Sequence, residues 1–220
     1  MSTITARRRS TRVTRLIGGA VAATVAALAV ALSAVPASAD PTDITSGHID
    51  FVSVNVNDDA TALTLGSNYE DTKWVPAGTY ELVVPQTTFG GETGYIIPET
   101  QSEASSRGVP WAGFSGDEAL SGVGFTADDE VTLTLTNVAF TPKPGTSGHG
   151  TVALSQNGTP WFTNAEGHAH TFVTDGAEEV FHQHVKWVFS APGTYVLTFS
   201  ASSDLGLDAS PATYTIKVGL

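Results

Sequence analysis

The 220-residue sequence predicts an all-β fold, an antiparallel β-sandwich of immunoglobulin-like type with long loops over one end. Three observations carry this. Segments rich in Val, Thr, Phe and Tyr with period-2 alternation recur through the chain. Clusters of Pro, Gly, Asn and Asp separate them. No long stretch has the apolar spacing of a helix.

The chain opens with Arg7, Arg8, Arg9, Arg12 and Arg15, followed by an uncharged Ala-rich run at 16–35 and by Ala37-Ser38-Ala39, a small-x-small cleavage pattern. Residues 1–39 are therefore expected to be a signal peptide and 40–220 a single secreted β-sandwich domain beginning at Asp40. The run is also long enough for an uncleaved anchor, but the cleavage pattern argues for removal. Arg8-Arg9 leaves the general and twin-arginine export routes both open.

Strands are expected at 49–56, 79–84, 131–138, 151–155, 171–174, 180–190, 194–201 and 213–218. The turns between them include Asn57-Asp58-Asp59, Pro142-Lys143-Pro144-Gly145 and Asp175-Gly176. Residues 89–129, rich in Gly, Ser and Glu, read as long ordered loops. The final residues read as a strand with no sorting motif, so the product is expected to be released, without stable membrane insertion after leader cleavage.

Five of the ten basic residues lie in the leader and none of the 22 acidic ones do, so the mature chain carries a formal charge of −17. That excludes nucleic acid as a partner, disfavours anionic lipid and favours cations. Cysteine is absent and Met1 is the lone methionine. Disulfides, thiolate metal sites and a cysteine nucleophile are thereby excluded, and any metal must be held by His, Asp or Glu.

All six histidines follow the leader, four of them in His-x-His pairs: His168/His170 and His182/His184. Alternation in 180–190 puts Phe181, Val185, Trp187 and Phe189 on one face and His182, His184 and Lys186 on the other. Two imidazoles on one side of one strand suit a shared metal ion. A three-residue hairpin loop after Thr174 would bring His168 and His170 to the same face as His182 and His184. A two-residue loop would send the pairs to opposite faces, and the sequence leaves both registers open. His48 opens the first long strand with Asp50 on its side, as a further ligand or as a partner that orients the ring. The candidate metal residues are thus His182, His184, His48, Asp50, His168 and His170, and zinc is the expected ion, with copper as the other candidate. His149 reads as a solvated loop residue. Trp111 and Trp161 are the tryptophans free enough to serve a sugar platform, and the acidic runs read as solvated turns. No nucleophile elbow, phosphate loop or EF-hand calcium loop is present.

Several segments together resemble one family. Gly47-His48-Ile49-Asp50, Ile97-Pro98-Glu99-Thr100-Gln101, Pro110-Trp111-Ala112-Gly113-Phe114-Ser115 and His182-x-His184-x-x-Trp187-x-Phe189-x-x-Pro192-Gly193-Thr194-Tyr195 are similar to the choice-of-anchor M domain of actinobacterial surface-anchored proteins, over most of 44–219. The resemblance implies an exported β-sandwich module encoded near metal-type ABC transporters. It covers His48, His182 and His184, with His168 and His170 additional in this chain. Copper/zinc superoxide dismutase has a motif similar to Phe181-His182-Gln183-His184 but needs later histidines, and none follows His184.

The expected function is therefore that of a secreted, non-catalytic protein binding a divalent transition metal, zinc first, for capture or delivery to an ABC-type uptake system. Its partners are then transporter components or cell-surface proteins. The competing expectation is a metal-free adhesion or scaffold module binding a protein or glycan through its loops. No general base can be named, so the protein is not expected to be an enzyme.

Overall fold

The computed structural model describes residues 40–70, 74–164, 168–175 and 180–220. The leader expected at 1–39 and residues 176–179 of the expected hairpin connection lie outside the described residues. The strands are β1 (Thr42–Ile44), β2 (Gly47–Val56), β3 (Leu63–Tyr69), β4 (Val75–Pro76), β5 (Tyr80–Val84), β6 (Thr87–Phe89), β7 (Glu92–Ile97) and β8 (Pro110–Gly116). They continue with β9 (Glu130–Pro142), β10 (Val152–Gln156), β11 (Thr159–Thr163), β12 (His168–Val173), β13 (Phe181–His184), β14 (Lys186–Phe189), β15 (Gly193–Ser203) and β16 (Asp208–Val218). One short helix, α1 (Gln101–Arg107), and a 3-10 segment, Glu118–Val123, complete the described elements.

The expected all-β fold of two sheets is what forms. The larger sheet runs β12-β9-β15-β16-β3-β2-β8-β13, with β5 also on β16, β1 on β5 and β4 on β3; the smaller runs β11-β10-β14-β7-β6. Pairing is mostly antiparallel, but β2 runs parallel to β8, β16 runs parallel to β3 and β5, and β1 runs parallel to β5. Alternation buries one face of each long strand: in β15 every second residue from Gly193 to Ala201 is buried, and in β16 Tyr214, Ile216 and Val218 are. The core is aromatic. Phe114 stacks on Trp187 at 5.6 Å between ring centroids, and Phe162 meets Phe199 edge-on at 5.3 Å. The Tyr214 hydroxyl, fully buried, donates to the Gly66 carbonyl at 3.0 Å.

Three expectations are corrected. Residues 89–129 are not long loops: they contain β7, α1 and β8, and β8 is an interior strand between β2 and β13. Its glycines are packing residues rather than loop residues. A Cβ on Gly113 would stand 2.8 Å from the Gln183 carbonyl oxygen, and one on Gly116 would stand 2.6 Å from the Phe181 ring. The expected single strand at 180–190 is two strands in different sheets: β13 pairs with β8, whereas β14 pairs with β7 and β10, and the fully buried Val185 marks the crossing.

The third correction concerns the two His-x-His segments, which share no ladder. β12 pairs with β9 and β13 with β8, at opposite ends of the strand order. The two end strands meet through side chains, Phe172 stacking on Phe181 at 4.5 Å. His168 and His170 share a face with buried Phe172 and so turn inward, while His182 and His184 alternate with buried Phe181 and turn the other way.

Phe114 touches both sheets' aromatic residues, so Phe114→Ala is expected to destabilise the protein by about 3–5 kcal/mol through loss of buried area and the cavity left behind. Urea or guanidinium unfolding, with a lowered midpoint and an unchanged slope, is the measurement.

Candidate metal centre

Three adjacent strands of the larger sheet build the site. Ladder register sets Asp50 of β2 opposite Gly113 of β8, and Gly113 opposite His184 of β13; His48 lies opposite Trp111, and His182 opposite Ser115. With period-2 alternation, His48, Asp50, His182 and His184 all rise from one face and flank the β8 lane, where Gly113 carries no side chain. The bulge in β2 just after Asp50 shifts the register against both neighbours, a device that re-aims a side chain. Glu70 fixes the backbone of His48 from the next strand, its Oε1 accepting from the His48 N–H at 2.9 Å while its own N–H donates to the His48 carbonyl at 3.0 Å.

The four side chains converge. The Nε2 atom of His48 lies 3.2 Å from that of His182 and 3.1 Å from that of His184, and the last two are 3.0 Å apart. Asp50 Oδ1 is 3.0 Å from His182 Nε2 and 3.4 Å from His48 Nε2. All four ligand atoms fall within 4.8 Å of one another. Around a first-row dication with bonds of about 2.0–2.1 Å, ligand atoms separated by angles of about 95–110° stand about 3.0–3.4 Å apart. The group could therefore hold a metal ion. The donor chemistry fits as well: Asp50 Oδ1 is buried and, among the described residues, accepts no hydrogen bond beyond its contacts with these imidazoles. Access comes from the His182 side, whose side chain is 29 % exposed against 1 % for Asp50.

Electrostatics keep Asp50 and His184 in their ligating forms. Burial pushes the Asp50 carboxyl up, but the His182 and His48 rings beside it more than offset this and hold it well below the ordinary carboxylate range. Burial, then the proximity of His182 and His48, push the His184 imidazole down to about 3, against smaller opposing effects of Asp50 and the Ala112 backbone. His184 is thus neutral at physiological pH, as a metal ligand must be.

Of the six candidate metal residues, the structure brings together His48, Asp50, His182 and His184. It places His168 and His170 on the inward face of β12, outside this group: His170 stacks on Trp161 at 3.6 Å and burial lowers its pKa, and the His168 Nδ1 atom is buried. His149 is exposed, as expected. Neither tryptophan proposed for a sugar platform is free. Trp161 is 5 % exposed, and Trp111 lies over His184 with ring centroids 3.6 Å apart and planes 13° from parallel. Sequence reasoning missed Gly113 and Trp111 as parts of the site. The available signal was the alternation Trp111-x-Gly113-x-Ser115, a strand face whose middle is too small to fill the space between two ligand-bearing neighbours.

Two outcomes are expected. Gly113→Ala drives a methyl into His184 Nδ1 and the Gln183 carbonyl, so the variant is expected to lose metal binding or to unfold at lower denaturant; metal titration beside chemical unfolding reads both. In the ion-free protein, the unfolded His184 binds a proton near 6.5 and the folded one only near 3, so the unfolded state takes up the extra proton between these values. Stability therefore falls as pH drops from 6.5 toward 3, with Asp50 adding to the loss below about 3.8, and His184→Gln is expected to flatten the first part of that curve.

Comparison with known proteins adds no name to this geometry. No family model matches the chain, and neither the curated proteins nor the solved structures contain a match.

Proposed function

We propose that this is an exported, non-catalytic metal-binding protein that takes up a divalent transition metal, zinc above all, at His48, Asp50, His182 and His184, for capture or delivery to an ABC-type uptake system. The observation that carries the reading is the approach of three imidazole Nε2 atoms to within 3.0–3.2 Å of one another beside a buried carboxylate oxygen. Uncharged imidazoles in that arrangement set nitrogen lone pairs against each other, and an N–H on any one ring can serve only one of its two neighbours. A dication at their centre turns the repulsion into ligation.

Three nitrogens and one carboxylate oxygen, with no thiolate available in the chain, are a zinc-type donor set, with copper(II) as the competitor that binds such sites more tightly when present. A dication meets one negative charge here, so the bound site is net cationic within a strongly acidic protein. The carboxylate is itself one of the donors, and among the described residues no other acid or base belongs to the group, which favours binding over hydrolysis. Export and the link to a transporter rest on the arginine-led N-terminal segment and on the similarity of the His48, Trp111 and His182 segments to the choice-of-anchor M domain.

Calorimetric titration of metal-stripped 40–220 with zinc and with copper, beside the double variant His182→Ala/His184→Ala, tests the reading. One equivalent bound tightly by the native protein and lost in the variant is the expected result. No binding, or weak binding unchanged by the substitutions, would overturn it and turn attention to a metal-free scaffold.

A further inference from the structure

Metal-ligating imidazoles are ordinarily held in place by a hydrogen bond from the ring nitrogen that does not face the metal, given to a carboxylate, a carbonyl or water. His184 departs from that pattern. Its Nε2 faces the other donors, yet its Nδ1 is buried with no hydrogen-bond partner among the described residues. The Ala112 carbonyl acts on this ring as a weak acceptor and is shared with the Trp187 indole, which donates to it at 3.2 Å. That shared contact leaves the tilt of the ring about its Cβ–Cγ bond loosely held, and a quarter-turn would carry Nε2 away from His48 and His182.

A flat contact takes the place of that hydrogen bond. The Trp111 indole covers the His184 ring at 3.6 Å and 13°, and the tilted His48 ring lies with its centroid 5.1 Å from that of the indole. Trp111 is itself anchored: its Nε1–H donates to the Glu99 carbonyl at 2.9 Å, and the Glu99 carboxylate in turn accepts from the backbone N–H of Asn157 in the β10–β11 turn at 3.0 Å. On the remaining side, the Gly113 backbone limits the ring's edge. We propose that Trp111 is a positioning residue for the metal centre, an aromatic clamp that fixes the His184 imidazole in the ligating orientation where a hydrogen bond from Nδ1 would ordinarily do so. This rests on the metal reading above for its consequence but not for its geometry.

The consequence is a matter of preorganisation. A ring already held in the ligating rotamer loses no torsional freedom when metal arrives, whereas an unclamped one must be ordered at that moment, which weakens binding and speeds release. Trp111 is not one of the four donors, so its removal is expected to act through the imidazoles beside it, His184 foremost.

The test compares native protein with Trp111→Leu, which fills space without a flat face, and with Trp111→Phe, which keeps a ring for stacking. Zinc affinity from competition with a chromophoric chelator is expected to fall by about tenfold to hundredfold in Trp111→Leu, the range seen when an outer partner of a metal-bound histidine is lost, and to return to within about threefold of native in Trp111→Phe. In ion-free protein, proton–proton contacts of the His184 ring measured by NMR are expected to report one orientation in the native and Phe forms and a range of exchanging ring tilts in the Leu form. If Trp111→Leu does not fold, Trp111→Met replaces it with the same expectations. Native affinity together with a single His184 orientation in the Leu or Met form would overturn the proposal. Absence of zinc binding by the native protein would instead overturn the metal reading, while the NMR comparison would still decide whether Trp111 orients His184.

Discussion

Three imidazole nitrogens held within 3.2 Å of one another are the constraint around which this end of the sandwich is arranged. Bringing them together takes a particular backbone arrangement, because the strands carrying His48 and His182 are separated by a whole intervening strand. Adjacent strands lie about 4.8 Å apart, so β2 and β13 are separated by about 10 Å and their side chains must lean inward across β8 to meet. They have space to do so because β8 presents Gly113 at the midpoint of the row that runs from Asp50 to His184. Trp111 and Ser115 then bound that space along the strand, one as a wall of aromatic surface and the other as a small hydroxyl.

That arrangement explains which parts of the structure were legible in the sequence. The alternation of 49–56, 131–138 and 213–218 follows directly from burying one face of a strand, and each is a strand in the fold. His182 and His184 could be assigned to one outward face because Phe181 beside them is apolar, and Asp50 could be assigned to His48 by spacing alone. What could not be read was pairing. β2 and β8 run parallel, with five strands and a helix between them in sequence, and no local pattern announces a partner so distant. The fate of His168 and His170 depended on whether Thr174 begins a hairpin, and neighbours in sequence that pair with different strands defeat any argument from loop length.

Composition misled for a related reason. Glycine and serine in 89–129 resemble loop chemistry when counted, yet Gly113, Ser115 and Gly116 are small because neighbouring side chains occupy the volume that larger residues would need. The Ser115 hydroxyl donates to Ser53 in a buried contact at 3.0 Å, so even the polar residue of the lane is satisfied within the sheet. A small residue can mark flexibility or a tight fit, and only the identity of the cross-strand partners distinguishes the two. The same ambiguity hid Trp111, whose exposed-looking setting between Pro110 and Ala112 gave no hint that a histidine from the far end of the chain would lie against it.

The charge of the protein bears on the same site. Among the described residues the cations are few and already engaged: Arg107 with Glu103 and Glu92, Lys186 with Glu92, Lys217 with Asp43 and Glu81, and Lys143 with the Gly219 carbonyl. None of them lies against the four donors, where a fixed positive charge would oppose a dication. The excess of uncompensated carboxylates instead gives the surface a negative potential that concentrates cations near the exposed His182 side, and such a field acts on the rate of encounter and weakens as salt is added. The long-range field supplies no selectivity, because calcium or magnesium would be drawn in equally. Selectivity has to come from the donors: three imidazoles and a single carboxylate oxygen suit borderline transition ions far better than hard cations that require a shell of oxygens. Under the proposed metal reading, an acidic surface and a nitrogen-rich centre divide the work, the first gathering dications of every kind and the second retaining only those that accept imidazole.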